Sequence, residues 1–203
     1  MSTLPKIETL QQGIGKKFCI LLRRVGDNLD LALGVRWSWR LDESLITVAP
    51  AAPAPDDPSA AVEAVLQRWP SAPVVLLARK HPTVDGQYDP TRDAIWLFRG
   101  TGLEPIEKLI VLLHEAAHSS GHARRLRRPS LADYAVSPDA EEAEECIAAL
   151  CSLLVAHRTG IRKLEHEDSL RCFSRVADLD DEEKIRAVVH EADAAANFIL
   201  NPA

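Results

Sequence analysis

Apolar and polar positions alternate differently in the two parts of this chain. From Leu29 to Trp39 the apolar positions recur with period two, the repeat of a half-buried strand. Phe18–Val25 and Leu29–Trp39 flank the turn-forming Gly26-Asp27-Asn28, which predicts a hairpin. Trp37 and Trp39 fall on one face of its second strand, the pattern of a core face, and Leu45–Ala49 extends the hairpin into a meander. Residues 1–16 lack this alternation and read as an irregular or helical lead-in. Pro50–Pro58 carries four prolines in nine residues, which predicts a linker or rigid loop and a domain boundary.

Beyond that boundary the repeat lengthens. Asp57-Pro58 caps a helix running to about Trp69. Pro73–Arg79 and Ala94–Phe98 are short apolar strands, with a turn at Asp85-Gly86 between them. Pro105 opens a helix whose apolar run Leu109–Leu113 continues to Ser120 and halts at Gly121. Ser137-Pro138 caps a helix over Asp139–His157, closed by Gly160. Helices over Glu167–Val176 and Asp180–Leu200 follow, and no internal repeat is present. The expected fold class is α+β, a small, mostly antiparallel sheet packed against a helical layer. Residues 1–50 form a β-rich extension of unknown role, and 55–203 form the main domain.

Composition narrows the function. With 203 residues the chain can bury a core, and a net charge of −6 excludes a protein that chiefly coats nucleic acid. The local exception is Arg124, Arg125, Arg127 and Arg128, a candidate nucleic-acid contact, although such charge runs are more often solvated faces. Cys19, Cys146, Cys151 and Cys172 show no CxxC spacing and read as reduced core thiols. Met1–Lys6 has no apolar leader, and no uncharged apolar run reaches membrane-spanning length, so the expectation is a soluble, cytoplasmic protein. Its oligomeric state is not legible.

The chemistry concentrates in His114-Glu115-Ala116-Ala117-His118. Histidines four apart share a helix face and reach one metal ion, while the glutamate beside the first shares their cleft without being a ligand. There Glu115 is a candidate base toward a metal-bound water. The residue types point to zinc, which takes three protein ligands at a catalytic site. The third must come from elsewhere. A histidine six residues after His118 is ruled out by Arg124, and His122, just past the helix-ending glycine, suits a cleft-lining role better than a ligand. Glu141 is the favoured third ligand, with Glu142, Glu144 and Glu145 as alternatives, because Glu141 and Glu145 share a face of the following helix. In that assignment Glu145 bonds the far nitrogen of a ligand histidine. Tyr134, in the connecting loop, is a candidate donor to a developing oxyanion.

These residues, taken together, resemble the zincin-like metallopeptidase domain of ArdC-type antirestriction proteins of plasmids and other mobile elements. Gln87-Tyr88-Asp89-Pro90 and Asp93-Ala94-Ile95 resemble that family's tyrosine–proline–aspartate approach to the metal helix. Leu113 to His122 with Arg125-Leu126 and Arg128 resembles its HExxHxxGHxxRLxR block. Tyr134-Ala135 and the Glu141–Glu145 cluster before Ala148-Ala149 resemble its YAxEELVAE segment, and Ala187–Leu200 its closing helix. The resemblance spans roughly residues 55–200. Three or so extra residues around Ser137-Pro138-Asp139 depart from it, a tryptophan the family often carries near its C-terminal region is missing, and residues 1–50 do not resemble the family's single-stranded-DNA-binding domain.

The resemblance implies a zincin-like fold around a central HExxH helix and zinc-dependent hydrolysis of a peptide or protein substrate, in the setting of a mobile element. The alternatives are an antirestriction or single-stranded-DNA-associated accessory protein, and a zincin that has lost catalysis and serves as a binding module.

Overall fold

The computed structural model describes residues 10–14, 18–25, 28–37, 40–47, 73–78, 83–98, 105–160 and 182–201, the first four segments by backbone alone. Those segments form an antiparallel meander in chain order: β1 (Leu10–Ile14), β2 (Phe18–Val25), β3 (Asn28–Trp37) and β4 (Arg40–Thr47). The expected hairpin is present, with Phe18 opposite Val35 and Val25 opposite Asn28. Strand β1 occupies residues expected to be irregular or helical. Leu10-Gln11-Gln12-Gly13-Ile14 has no strand signature of its own, but β2 offers a free edge with unmatched backbone groups. β1 pairs with it residue for residue, from Leu10 opposite Leu22 to Ile14 opposite Phe18. β4 starts at Arg40 rather than Leu45, and a bulge between Leu33 and Val35 takes up the register change. The face of Trp37 and Trp39, the proline-rich 50–58, the helices expected over 57–69 and 167–176, and the burial of Cys19 and Cys172 lie outside the described residues.

A second sheet stands beside the candidate site. It comprises β5 (Val74–Ala78), β6 (Gly86–Asp89) and β7 (Ala94–Phe98), in the order β5-β7-β6. β5 joins β7 in parallel and β6 joins it antiparallel, so this sheet is mixed rather than mostly antiparallel. β6 was hidden behind the turn signal at Asp85-Gly86. The true reversal is Pro90–Asp93, where the Asp89 carboxylate accepts from the backbone of Thr91 (2.9 Å) and Arg92 (3.2 Å). Asp93 there adopts a left-handed φ of 50°.

The helices are α1 (Pro105–Ser120), the single-turn α2 (Pro129–Ala132), α3 (Pro138–Arg158) and α4 (Glu182–Leu200). α3 is the centre of the layer: every residue from Cys146 to His157 is buried, because α1 covers one side and α4 the other. α4 meets it with Ile185, Val188, Val189, Ala192, Ala195, Ala196 and Ile199, the apolar stripe of a 3.6-residue period. α1 presents Leu109, Leu112, Leu113, Ala116 and Ala117 to the same core, which also includes Tyr88 and Ile95 of the β6–β7 hairpin. The start of α3 is fixed by Ser137, whose hydroxyl accepts from Ala140 N at 3.3 Å, and by Pro138. Gly160 ends the turn after α3 with a φ of 76°. These caps fix where α3 begins and ends. Among the described residues no helix is long and apolar enough to cross a membrane.

Candidate metal centre

The helical repeat of α1 stacks His114 and His118 on neighbouring turns, their rings nearly perpendicular with centroids 4.8 Å apart. Their Nε2 atoms face each other at 3.1 Å. From α3, Glu145 brings Oε2 to 3.3 Å from His114 Nε2 and Oε1 to 3.5 Å from His118 Nε2. Among the described residues this is the group of metal-binding side chains that converges, with one ligand atom from each within 4.8 Å of the others. Ligands bonded tetrahedrally at about 2.1 Å stand about 3.4 Å apart, so the spacing fits a zinc-sized cation. Two imidazole lone pairs aimed at one point also repel unless a cation or a proton lies between them.

The electrostatics favour positive charge here. Burial by itself opposes a charged His118, but hydrogen bonds to Glu144 and Glu145 outweigh it and push its pKa up to about 10. Burial likewise opposes ionisation of Glu145, yet His114 and His118 hold its carboxyl well below the usual carboxylate range. Without a metal, the site binds a proton tightly for the same reason that it fits a cation.

The carboxylate brought to the two histidines is that of Glu145, not the expected Glu141. Glu141 stands one turn nearer the N-terminus of α3, about 6 Å along the axis, and lines the adjoining cavity with its side chain exposed. The far nitrogen of His118 meets Glu144 rather than Glu145, with Nδ1 at 3.3 Å from Oε1. Glu144 is fully buried and also receives Arg128 Nε (3.0 Å), Arg128 Nη2 and Ser130 Oγ (2.6 Å). These partners hold its pKa down to about 2 although burial alone would raise it. Sequence reasoning noticed the glutamate cluster but missed the pairing of Arg128 with Glu144. The available signal was Gly121 ahead of the arginines, which lets the chain fold back over the helix end.

A cavity of about 880 Å³ opens in front of the histidines, walled by α1, by residues 83–90 including β6, by residues 131–135 and by the first turns of α3. Glu115 lines it at 7% exposure, beside Gly86. A Cβ built on Gly86 would stand 2.5 Å from Val111 Cγ1 and 3.1 Å from Glu115 Cγ, so the strand lies against the helix at a distance only glycine permits. Tyr134 also lines the cavity and donates to Glu145 Oε1 at 2.5 Å; burial and this carboxylate raise its pKa.

His122 does not line the cavity. Its Nδ1 accepts from the backbone N–H of Arg124 at 3.2 Å and lies 4.0 Å from Asp93, because the reversal after Gly121 turns the ring toward the β6–β7 hairpin. The four-arginine patch is split by the same reversal. The side chain of Arg125 is covered, donating to both oxygens of Asp93 (2.8–2.9 Å) and to Ser119 O (2.7 Å). Arg128 is buried against Glu144, whereas Arg124 and Arg127 are exposed. Arg127 adopts a left-handed φ of 55°, and its Nε donates to Ala123 O. Two of the four candidate nucleic-acid contacts are therefore used up inside the protein. Tyr88 completes this side by donating to Asp93 at 2.8 Å.

Fold and site together define an α+β protein whose HExxH helix is joined by a carboxylate from the next long helix. No family model matches the chain, and no curated protein does. Among solved structures, the fold is similar to the crystal structure of the antirestriction protein ArdC from plasmid R388 in a metal-free state. The TM-score is 0.50 at 20% identity, covering 90% of this chain and 67% of that one. Residues 51–203 are only three quarters of the chain, so an alignment covering 90% of it reaches into residues 1–50.

Proposed function

We propose that the chain is a zinc-dependent peptide hydrolase in which His114, His118 and Glu145 hold the ion. The observation that carries this reading is the convergence of those side chains at the floor of a cavity that Glu115 also lines. When bound, zinc supplies a Lewis acid that polarises a carbonyl and makes water acidic enough to attack near neutral pH. Glu115 is neither among the converging atoms nor remote from them, so its role is to take the proton of the attacking water and pass it to the leaving amine. Tyr134 has its hydroxyl at the same place, held on Glu145, and is the candidate donor to an oxyanion. β6 is the edge strand of its sheet along the cavity, which suits an extended peptide backbone as an added strand.

A second reading, an antirestriction protein acting in the cytoplasm, is supported by the fold similarity to ArdC, which bears on it more directly than on hydrolysis. In that reading exposed Arg124 and Arg127 are candidate phosphate contacts, and binding to single-stranded DNA would weaken as salt rises.

The two readings part on Glu115→Gln. The variant is expected to keep its zinc and its melting temperature and to lose about 10²- to 10⁴-fold in peptide turnover. Equal turnover by variant and parent rejects Glu115 as the base, and a zinc-loaded parent that cleaves no peptide rejects the hydrolase. Protection of incoming DNA from restriction in cells, retained by Glu115→Gln but lost in His118→Ala, would favour an antirestriction role that needs the metal without the hydrolysis.

A further inference from the structure

Behind His118 lies a charged cluster that does not touch the cavity but reaches the site through one imidazole. Arg128 is 2% exposed and Glu144 0%. Packing alone does not call for such a pair, since apolar side chains of similar volume hold helices together as well or better than a buried ion pair. The hydrogen bonding of the pair is extensive and directional. Glu144 Oε2 accepts from Arg128 Nε (3.0 Å) and Ser130 Oγ (2.6 Å), and Oε1 from Arg128 Nη2, with His118 Nδ1 at 3.3 Å. Arg128 Nη1 donates to Ser120 Oγ and Nη2 to Ala117 O, both at 2.7 Å. The guanidinium thus spans the last turn of α1 and the carboxylate of α3. Room for it depends on Gly121, where a Cβ would stand 2.7 Å from Arg128 Cζ and 2.8 Å from Nη2. With arginine and serine donating into Glu144, the carboxylate acts as an acceptor toward His118. Nδ1 then carries the hydrogen, and Nε2 turns its lone pair to the site.

We infer that Arg128 is a positioning residue of the metal centre: through Glu144 it fixes the tautomer and ring plane of His118, and so sets the affinity of the site for its cation. This rests on His114, His118 and Glu145 being the metal ligands. Lysine cannot replace it, because a single ammonium does not present the planar fork that meets Glu144 and Ala117 O together.

The test titrates zinc into metal-stripped full-length protein against a chromophoric chelator. It compares the parent with Arg128→Lys, Arg128→Met, Gly121→Ala and Glu144→Gln, and also records metal-free melting and the cobalt(II) absorption spectrum. Each variant is expected to bind zinc about 10- to 100-fold more weakly and to shift the cobalt spectrum. Arg128→Met added to Glu144→Gln should cost less than it does alone, since both act through one histidine. A role confined to packing lowers the metal-free melting temperature and leaves affinity and spectrum at parent values, which would overturn the inference. Should Arg128→Met fail to fold, Gly121→Ala keeps both charges and displaces only the guanidinium; parent-like affinity there and in Glu144→Gln overturns it equally. A parent that binds no zinc removes the metal reading and this inference together. A tight-binding parent with unaltered variants removes the role of Arg128 alone.

Discussion

Glu144 and Glu145 are adjacent, chemically identical, and reach the same histidine from two sides, yet their environments are opposite. Glu144 is completely buried among donors: a guanidinium, a serine hydroxyl and an imidazole N–H. Glu145 keeps 28% of its side chain exposed and faces two imidazole nitrogens, with one tyrosine as its donor. The first carboxylate is neutralised by protein and serves rigidity. The second sits in a field that attracts a cation or a proton. One step along α3, about 100° of rotation, separates the two roles.

The comparison is broken most forcefully at Glu144. Glu144→Leu leaves the Arg128 charge buried without its partner and is expected to destabilise the protein by about 3–5 kcal/mol. Glu145→Ala is expected to lose zinc with a far smaller change in metal-free stability. Urea denaturation with zinc analysis on the same samples checks both, and equal destabilisation by the two changes would refute the distinction. Gly86→Ala comes next: its Cβ meets Val111 and Glu115, so overpacking of about 1–3 kcal/mol is expected, together with slower turnover as Glu115 is displaced. Melting and kinetics read the two effects separately. Glu141→Ala sharpens the ligand assignment, because a partly exposed cavity-wall residue should retain the zinc that Glu145→Ala releases; zinc loss in both would return Glu141 to the ligand set. The smallest effect concerns Cys151, whose thiol is pushed up to about 12 chiefly by burial. Above about pH 9 the unfolded chain ionises this thiol while the native chain holds its proton. Native stability therefore falls as pH rises from there toward 12, and Cys151→Ala should flatten that fall in alkaline urea titrations.

Much of the site was legible because its information is local. The spacing of His114 and His118 needs only the helical repeat to bring their nitrogens together, and Glu115 follows from its adjacency. Ser137-Pro138 located the start of α3 within a residue of where it lies. The third ligand was harder. Glu141, Glu142, Glu144 and Glu145 cover most of a helix circumference, so the choice depends on the rotation and axial offset of α3 against α1. That relation is set by the packing of Ile147, Leu150 and Leu154 into the common core, to which no single stretch of sequence refers.

The sequence by itself determined the α+β class, the β2–β3 hairpin, the boundaries of α1 and α3, and a facing pair of histidines on a buried helix that makes a candidate metal site. Repeat periods and capping residues act over a few positions, and a chain carries them wherever it folds. Tertiary structure alone decided that β1 and β6 are strands, since each depends on a neighbouring edge for its hydrogen bonds. It also decided that Glu145 faces the histidines while Glu144 locks one from behind, that Arg125 and Arg128 turn inward while Arg124 and Arg127 stay outside, and that His122 leaves the cleft. Each of these outcomes follows from a contact between residues distant in the chain, and solvation and helix phase fix that contact only once the elements have docked.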